Sequence, residues 1–137
     1  NLIGISSFMR KKYRHAAIIF IRLIEVLKKS YSLSPAYHRI LAVLYNNAAL
    51  AEMKLGIGEF SSHLACAVTS SLDCGDCLLY LRLTRNFLHM NPKLSDDWDG
   101  AMIASALRTF FDIANSYLNI FPSFDAFLDE DKWLLIP

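Results

Sequence analysis

Ser34-Pro35 and Gly56 punctuate this chain more firmly than any other residues, and they constrain it to helices. A hydroxyl followed by proline is a helix start. The serine oxygen accepts an orphan backbone N–H, and proline's fixed φ suits the first helical position, where no amide is needed. Glycine just past the last helical residue is a helix stop, because it takes the left-handed conformation without strain. The spacing predicts a helix from Pro35 to Leu55, longer than the average of roughly 11–12 residues. In its second half, Ala48, Ala49 and Ala51 let another helix approach closely. Asn46, Asn47 and Lys54 remain on a helix whose other positions are mostly apolar.

The same punctuation recurs along the chain. Residues 1–11 read as a short helix. A second runs from about Tyr13 to Tyr31, with apolar residues at 16, 17, 20, 23, 24 and 27. Ile18, Ile19, Ile21 and Val26 widen its apolar stripe nearly all the way round, so this helix is expected to be central. Lys28 and Lys29 suit its C-terminal dipole. A fourth helix covers about Glu59–Ser71, and Asp73 or Gly75-Asp76 starts a fifth that ends before Asn91-Pro92. Ser95-Asp96-Asp97 starts a sixth, to about Asn119, with Ala101, Ala104, Leu107, Phe111, Ala114 and Leu118 on one stripe. Pro122 breaks it. Phe124, Phe127, Leu128, Trp133, Leu134 and Leu135 form a last amphipathic piece expected to pack back as a cap. No strand pattern or hairpin signal interrupts this, and the fold class is all-α.

At 137 residues the chain fits one domain. Its hydrophobic share of 54% exceeds the usual ~45–50%. Helices buried on several sides, or an apolar surface covered by a partner, would account for the excess. The densest apolar run, Ala16 to Leu27, is interrupted by Arg22 and Glu25, short of the ~20 residues of a membrane span. No membrane association or secretory leader is expected, and a chain opening without methionine is compatible with a piece of something longer. Net charge is +1, but residues 1–60 carry +6 and residues 61–137 carry −5. That asymmetry could steer a charged partner or simply mark two solvated faces. Three cysteines, an odd number, argue against a disulfide framework and for a reducing cytoplasm.

Helix pairs at near-constant spacing suggest a repeat. Gly56 and Asn91 both follow the first helix of a pair and lie 35 residues apart, close to the tetratricopeptide period of about 34. Tyr13-Arg14-His15-Ala16 and Trp98-Asp99-Gly100-Ala101 resemble the aromatic-x-x-Ala that opens the second helix of that repeat. The stretch from Leu44 to Gly56 resembles a first helix of co-chaperone tetratricopeptide domains, and Leu72-Asp73 with Leu79-Tyr80-Leu81-Arg82 resembles the following junction. The long segment between Tyr13 and Leu44 is similar to the extended first repeat of immunophilin-type co-chaperones. The resemblance covers residues 3–118. It implies an α-α superhelix of about three helix pairs over residues 1–119, capped by residues 120–137. A non-repeat bundle, of which a viral Bcl-2-like domain is one example, is the other architecture.

In that family the first helices line a concave groove, where lysine, asparagine and arginine clamp the carboxylates of an acidic chaperone tail. Charge-assisted donors of fixed geometry suit such a ligand. By the resemblance, Asn47 and Arg82 match two clamp positions, while Leu78, Asn1 and Ile5 stand at the others. Helical spacing independently places Leu78, Arg82, Arg85 and His89 on one face of the fifth helix, and Asn47, Leu50 and Lys54 on one face of the third. With Asn46 these are the candidate peptide-binding residues.

Four further residues, His63, Cys66, Cys74 and Cys77, form a weak zinc candidate, weighed against buried or incidental cysteines, which are common in cores. Arg10-Lys11-Lys12-Tyr13-Arg14-His15 could meet phosphates of RNA or DNA, weighed against a solvated helix junction. No catalytic set, phosphate-cradling loop or cofactor motif emerges; Asp96, Asp97 and Asp99 are explained by capping. The expectation is a non-catalytic protein–protein adaptor that takes a short peptide or a chaperone C-terminal tail. The alternative is an assembly domain that packs on a folded partner or forms a homo-oligomer, and an RNA-associated module comes third.

Overall fold

A computed structural model describes residues 1–56, 60–90, 98–119, 121–128 and 135–137. It contains helices α1 (Leu2–Met9), α2 (Tyr13–Lys29), α3 (Pro35–Leu55), α4 (Phe60–Cys74), α5 (Cys77–Met90), α6 (Trp98–Leu118) and α7 (Phe124–Leu128), with no strand among the described residues. The fold is all-α. The expected stop at Asn91-Pro92, the start at Ser95-Asp96-Asp97, the acid run Asp129-Glu130-Asp131 and Trp133-Leu134 lie outside the described residues, as do the side chains of residues 98–104.

The helix ends follow local chemistry. Ser34 Oγ accepts from the Tyr37 amide at 3.3 Å, with Pro35 at the first helical position. Gly56 closes α3 at φ 72°, and its N–H turns back onto the Glu52 and Met53 carbonyls. Asp76 caps α5 by accepting from the Leu79 amide at 3.0 Å, and the same carboxylate pairs with Arg39 of α3. Of the two starts the sequence offered for α5, Asp76 is the one used.

Each helix packs chiefly on the next in sequence, a helix-pair packing compatible with an α-α superhelix. The central helix is α3, not α2. Every residue of α3 from Leu41 to Glu52 is buried, whereas α2 buries only Ala16, Ala17, Phe20 and Ile24. All-round apolarity misleads here because α2 lies to one side of the stack, against α1 and α3, with Ile18 and Val26 facing solvent. Single exposed apolar residues of this kind are ordinary on protein surfaces. The alanines of α3 have the expected role: Ala48, Ala49 and Ala51 are fully buried under close neighbours.

Three apolar clusters form among the described residues, and two of them span most of the helices. One runs through α2, α3, α4 and α5 and takes in Leu135 and Ile136. The other gathers Leu81, Leu107, Phe111, Ala114, Phe121 and Phe127 between α5, α6 and α7. Where α1 meets α2, Gly4 is a spacing residue. A Cβ there would sit 2.8 Å from Phe20 Cζ and 2.9 Å from its Cδ1, and the Phe20 ring is fully buried. Gly4→Ala is therefore expected to cost about 1–3 kcal/mol through overpacking, read as a lowered midpoint in urea with an unchanged slope.

Candidate functional site

The site begins with two adjacent amides in the middle of α3. Consecutive helical residues point about 100° apart, so Asn46 and Asn47 reach different neighbours. Both are fully buried, and a buried amide without partners costs about 1–3 kcal/mol per orphaned group. Asn47 meets its entire hydrogen-bonding capacity of two donors and two acceptor sites. Its Nδ2 donates to the Ile136 carbonyl at 2.7 Å and to Asn1 Oδ1 at 3.0 Å; its Oδ1 accepts from the Ile136 amide at 2.9 Å and from Asn46 Nδ2 at 3.2 Å. One side-chain amide thus holds both backbone groups of one residue, as a neighbouring strand would. Asn1, just before α1, donates from Nδ2 to the same Ile136 carbonyl at 3.3 Å, and its side chain serves this contact rather than capping its own helix.

Asn46 continues the network toward α5. Its Oδ1 accepts from Asn86 Nδ2 at 2.9 Å. Asn86 Oδ1 in turn accepts from Arg85 Nε at 3.2 Å and Nη2 at 2.7 Å. Arg85 Nη1 donates to the Phe127 carbonyl at 3.2 Å, and the guanidinium lies 5.5 Å from the centroid of the Phe127 ring. The result is one connected line of polar groups, from Phe127 through Arg85, Asn86, Asn46 and Asn47 to Ile136 and Asn1. It crosses the region where α1, α3 and α5 meet the C-terminal segments.

Among the sequence candidates, Asn46, Asn47 and Arg85 come together in this network. They are buried rather than open to water, with Asn47 held by Ile136 and Arg85 by Phe127. Leu50 is buried beside Ala49, Leu64 and Met90. Leu78 is half-buried against the α5–α6–α7 cluster, and Arg82 is half-buried. Lys54 and His89 are exposed. Asn86 joins the network without having been a candidate, and Asn1, which the resemblance placed only at an unmatched clamp position, joins it as well. Asn86 had a readable signal, since Arg85-Asn86 repeats in α5 the polar pair that Asn46-Asn47 makes in α3.

Beside Pro137 lies an open depression of about 180 Å³, walled by Asn1, Arg39, Ile40, Val43 and Leu44. At the α1–α2 junction the basic residues Lys11, Lys12, Arg14 and His15 surround a wider one of about 480 Å³ with Ile18 and Leu55. Tyr13 packs edge-on against Phe8 there, and His15 Nδ1 shares a 2.9 Å hydrogen bond with Ser7.

Among the described residues no three His, Cys, Asp or Glu side chains are gathered to hold a metal. The zinc candidates have other company. His63 Nδ1 lies 3.0 Å from the buried Glu52 carboxylate, and Cys74 Sγ donates to the Ser71 carbonyl. Cys66 and Cys74 pack on one apolar cluster and Cys77 on the other. Burial pushes the Cys77 thiol above the ordinary cysteine range, and the Asp76 carboxylate adds to the shift. A helix start alone would favour thiolate; here burial and the neighbouring charge outweigh it. Alkylation of Cys77 by iodoacetamide is accordingly expected to lag behind that of a free cysteine peptide near pH 8.5, a typical thiol pKa of about that value setting the comparison. The folded state favours the neutral thiol. This site's contribution to stability is therefore present below the unfolded thiol's pKa and fades as pH rises through it toward the raised folded value.

No family model, curated protein or solved structure matches the chain. Among the described residues no helix is long and apolar enough to cross a membrane.

Proposed function

We propose that this chain is a non-catalytic adaptor that captures an extended peptide segment on the face shared by α1, α3 and α5. The observation that carries the reading is the double hydrogen bond between the Asn47 side chain and the Ile136 backbone. A side-chain amide that satisfies both the N–H and the C=O of one residue recognises extended backbone whatever its sequence, leaving selectivity to the surrounding apolar walls. The tetratricopeptide resemblance points to the same face, since it assigns α1, α3 and α5 as the first helices of three pairs and Asn47 as a peptide-holding position. Apolar and lined by the uncharged amides of Asn46, Asn47 and Asn86, this face suits an extended apolar segment better than an acidic chaperone tail, because the network's cation, Arg85, is already engaged by Asn86 and the Phe127 carbonyl.

Selection of displayed peptides against the full chain, followed by NMR titration, tests this. Selected peptides are expected to share an extended apolar pattern and to shift the Asn47 side-chain amide signals. Peptides that bind while leaving those signals unmoved would overturn the reading. A second reading, assembly through an apolar surface, is favoured by α1, where Leu2, Ile3 and Met9 are all exposed. It predicts a mass above that of one chain in light scattering, reduced by Ile3→Glu.

A further inference from the structure

We infer that segment 135–137 is a built-in occupant of the α1–α3 peptide slot, and that the partner it yields to is an extended segment with an apolar–Ile–Pro pattern. This rests on the peptide-capture reading above and adds the ligand class and its control.

Three observations converge on the segment. Ile136 has both backbone groups held by Asn47, with a third hydrogen bond to its carbonyl from Asn1. Its side chain is buried in the same apolar cluster as Val43 and Leu44, with Leu135 packed against that cluster. Such a contact, specific in backbone and anchored by one side chain, is how a separate peptide would be held. The proline at 137 suits it, because the residue before a proline is biased toward extended backbone. The resident differs from a partner in being tethered. A tether supplies an effective concentration that a free ligand has to exceed, so the slot is open to a partner only in the fraction of molecules whose segment has left.

The probe is a labelled peptide of residues 133–137, Trp-Leu-Leu-Ile-Pro, titrated by fluorescence anisotropy into the full chain and into the chain lacking residues 135–137. The shortened chain is expected to bind it at least about tenfold more tightly, as removal of a tethered competitor requires. Equal affinity for both chains would overturn the control by the segment while leaving peptide capture intact. A shortened chain of full helicity that fails to bind this peptide, yet still binds the selected ones, would overturn the assigned occupant. Loss of helicity on shortening is met with Ile136→Gly in the full chain, which keeps the backbone groups and removes the anchor. The selected peptides are then expected to bind more tightly than to wild type, and unchanged affinity overturns the proposal.

Discussion

Arg85→Met is expected to remove about 3–4 kcal/mol of stability, a large share of the roughly 5–15 kcal/mol that holds a domain of this size together. Arg85 is 2% exposed, and methionine replaces much of its stem. What methionine cannot replace is the fork of donors. Asn86 Oδ1 loses both the Nε and Nη2 hydrogen bonds, and the Phe127 carbonyl loses Nη1. Each buried acceptor left this way costs about 1–3 kcal/mol. Arg85→Lys is expected to recover little, because a single ammonium does not reproduce a planar fork that spans Asn86 and Phe127. Urea unfolding followed by circular dichroism measures both variants. A changed slope as well as a lowered midpoint would indicate that α7 has come away from α5 in the folded state.

The second large effect is at Asn47. Asn47→Asp keeps the shape and the acceptor for the Ile136 and Asn46 donors. It places a second carboxyl oxygen against the Ile136 carbonyl and Asn1 Oδ1, both of which now receive hydrogen bonds from Nδ2. Oxygen facing oxygen in a buried site is repulsive, and the expected loss is about 2–4 kcal/mol. The sign with pH follows. Burial beside two acceptors favours the protonated acid, which can donate one hydrogen bond, so the new carboxyl's folded pKa rises above its unfolded value. The variant is therefore closest to wild type near pH 4, about the ordinary aspartate pKa, and falls further behind as pH rises. Thermal melts at pH 4 and pH 7 check this, and hydrogen exchange at the Ile136 amide reports whether segment 135–137 has been released. Asn47→Leu, which removes every donor and acceptor together, is expected to lose the segment at both pH values alike.

The helices were legible because their ends are chemical. Ser34, Pro35, Gly56 and Asp76 act through local backbone geometry, which a sequence displays directly. Which helix is central was not legible, since the apolar rows of α2 and α3 look alike until their neighbours are placed. The polar pair in α3 could be picked out as unusual, and its partnership with α5 could be guessed from Arg85-Asn86. Whether those amides stood in water or in a buried network could not be read, because an asparagine suits either. The deciding partners are 40 residues away at Asn86 and 89 at Ile136, and nothing local to α3 encodes them.

Helices that rest each on its successor form mostly from nearby residues, a topology that folds quickly. The contacts of Ile136 are of the opposite kind, its partner Asn47 lying 89 positions away and Asn1 135. At roughly 5–20 residues per second of translation, α3 leaves the ribosome several seconds or more before Ile136 is made. Helix formation needs only about microseconds, so each nascent molecule passes through an interval in which α1–α3 can already be assembled and the Asn47 amide, though within reach of Asn1 and Asn46, has no Ile136 to hold. A partner waiting at the exit tunnel would meet no tethered rival during that interval, and the order of synthesis would then decide which of the two is seated first.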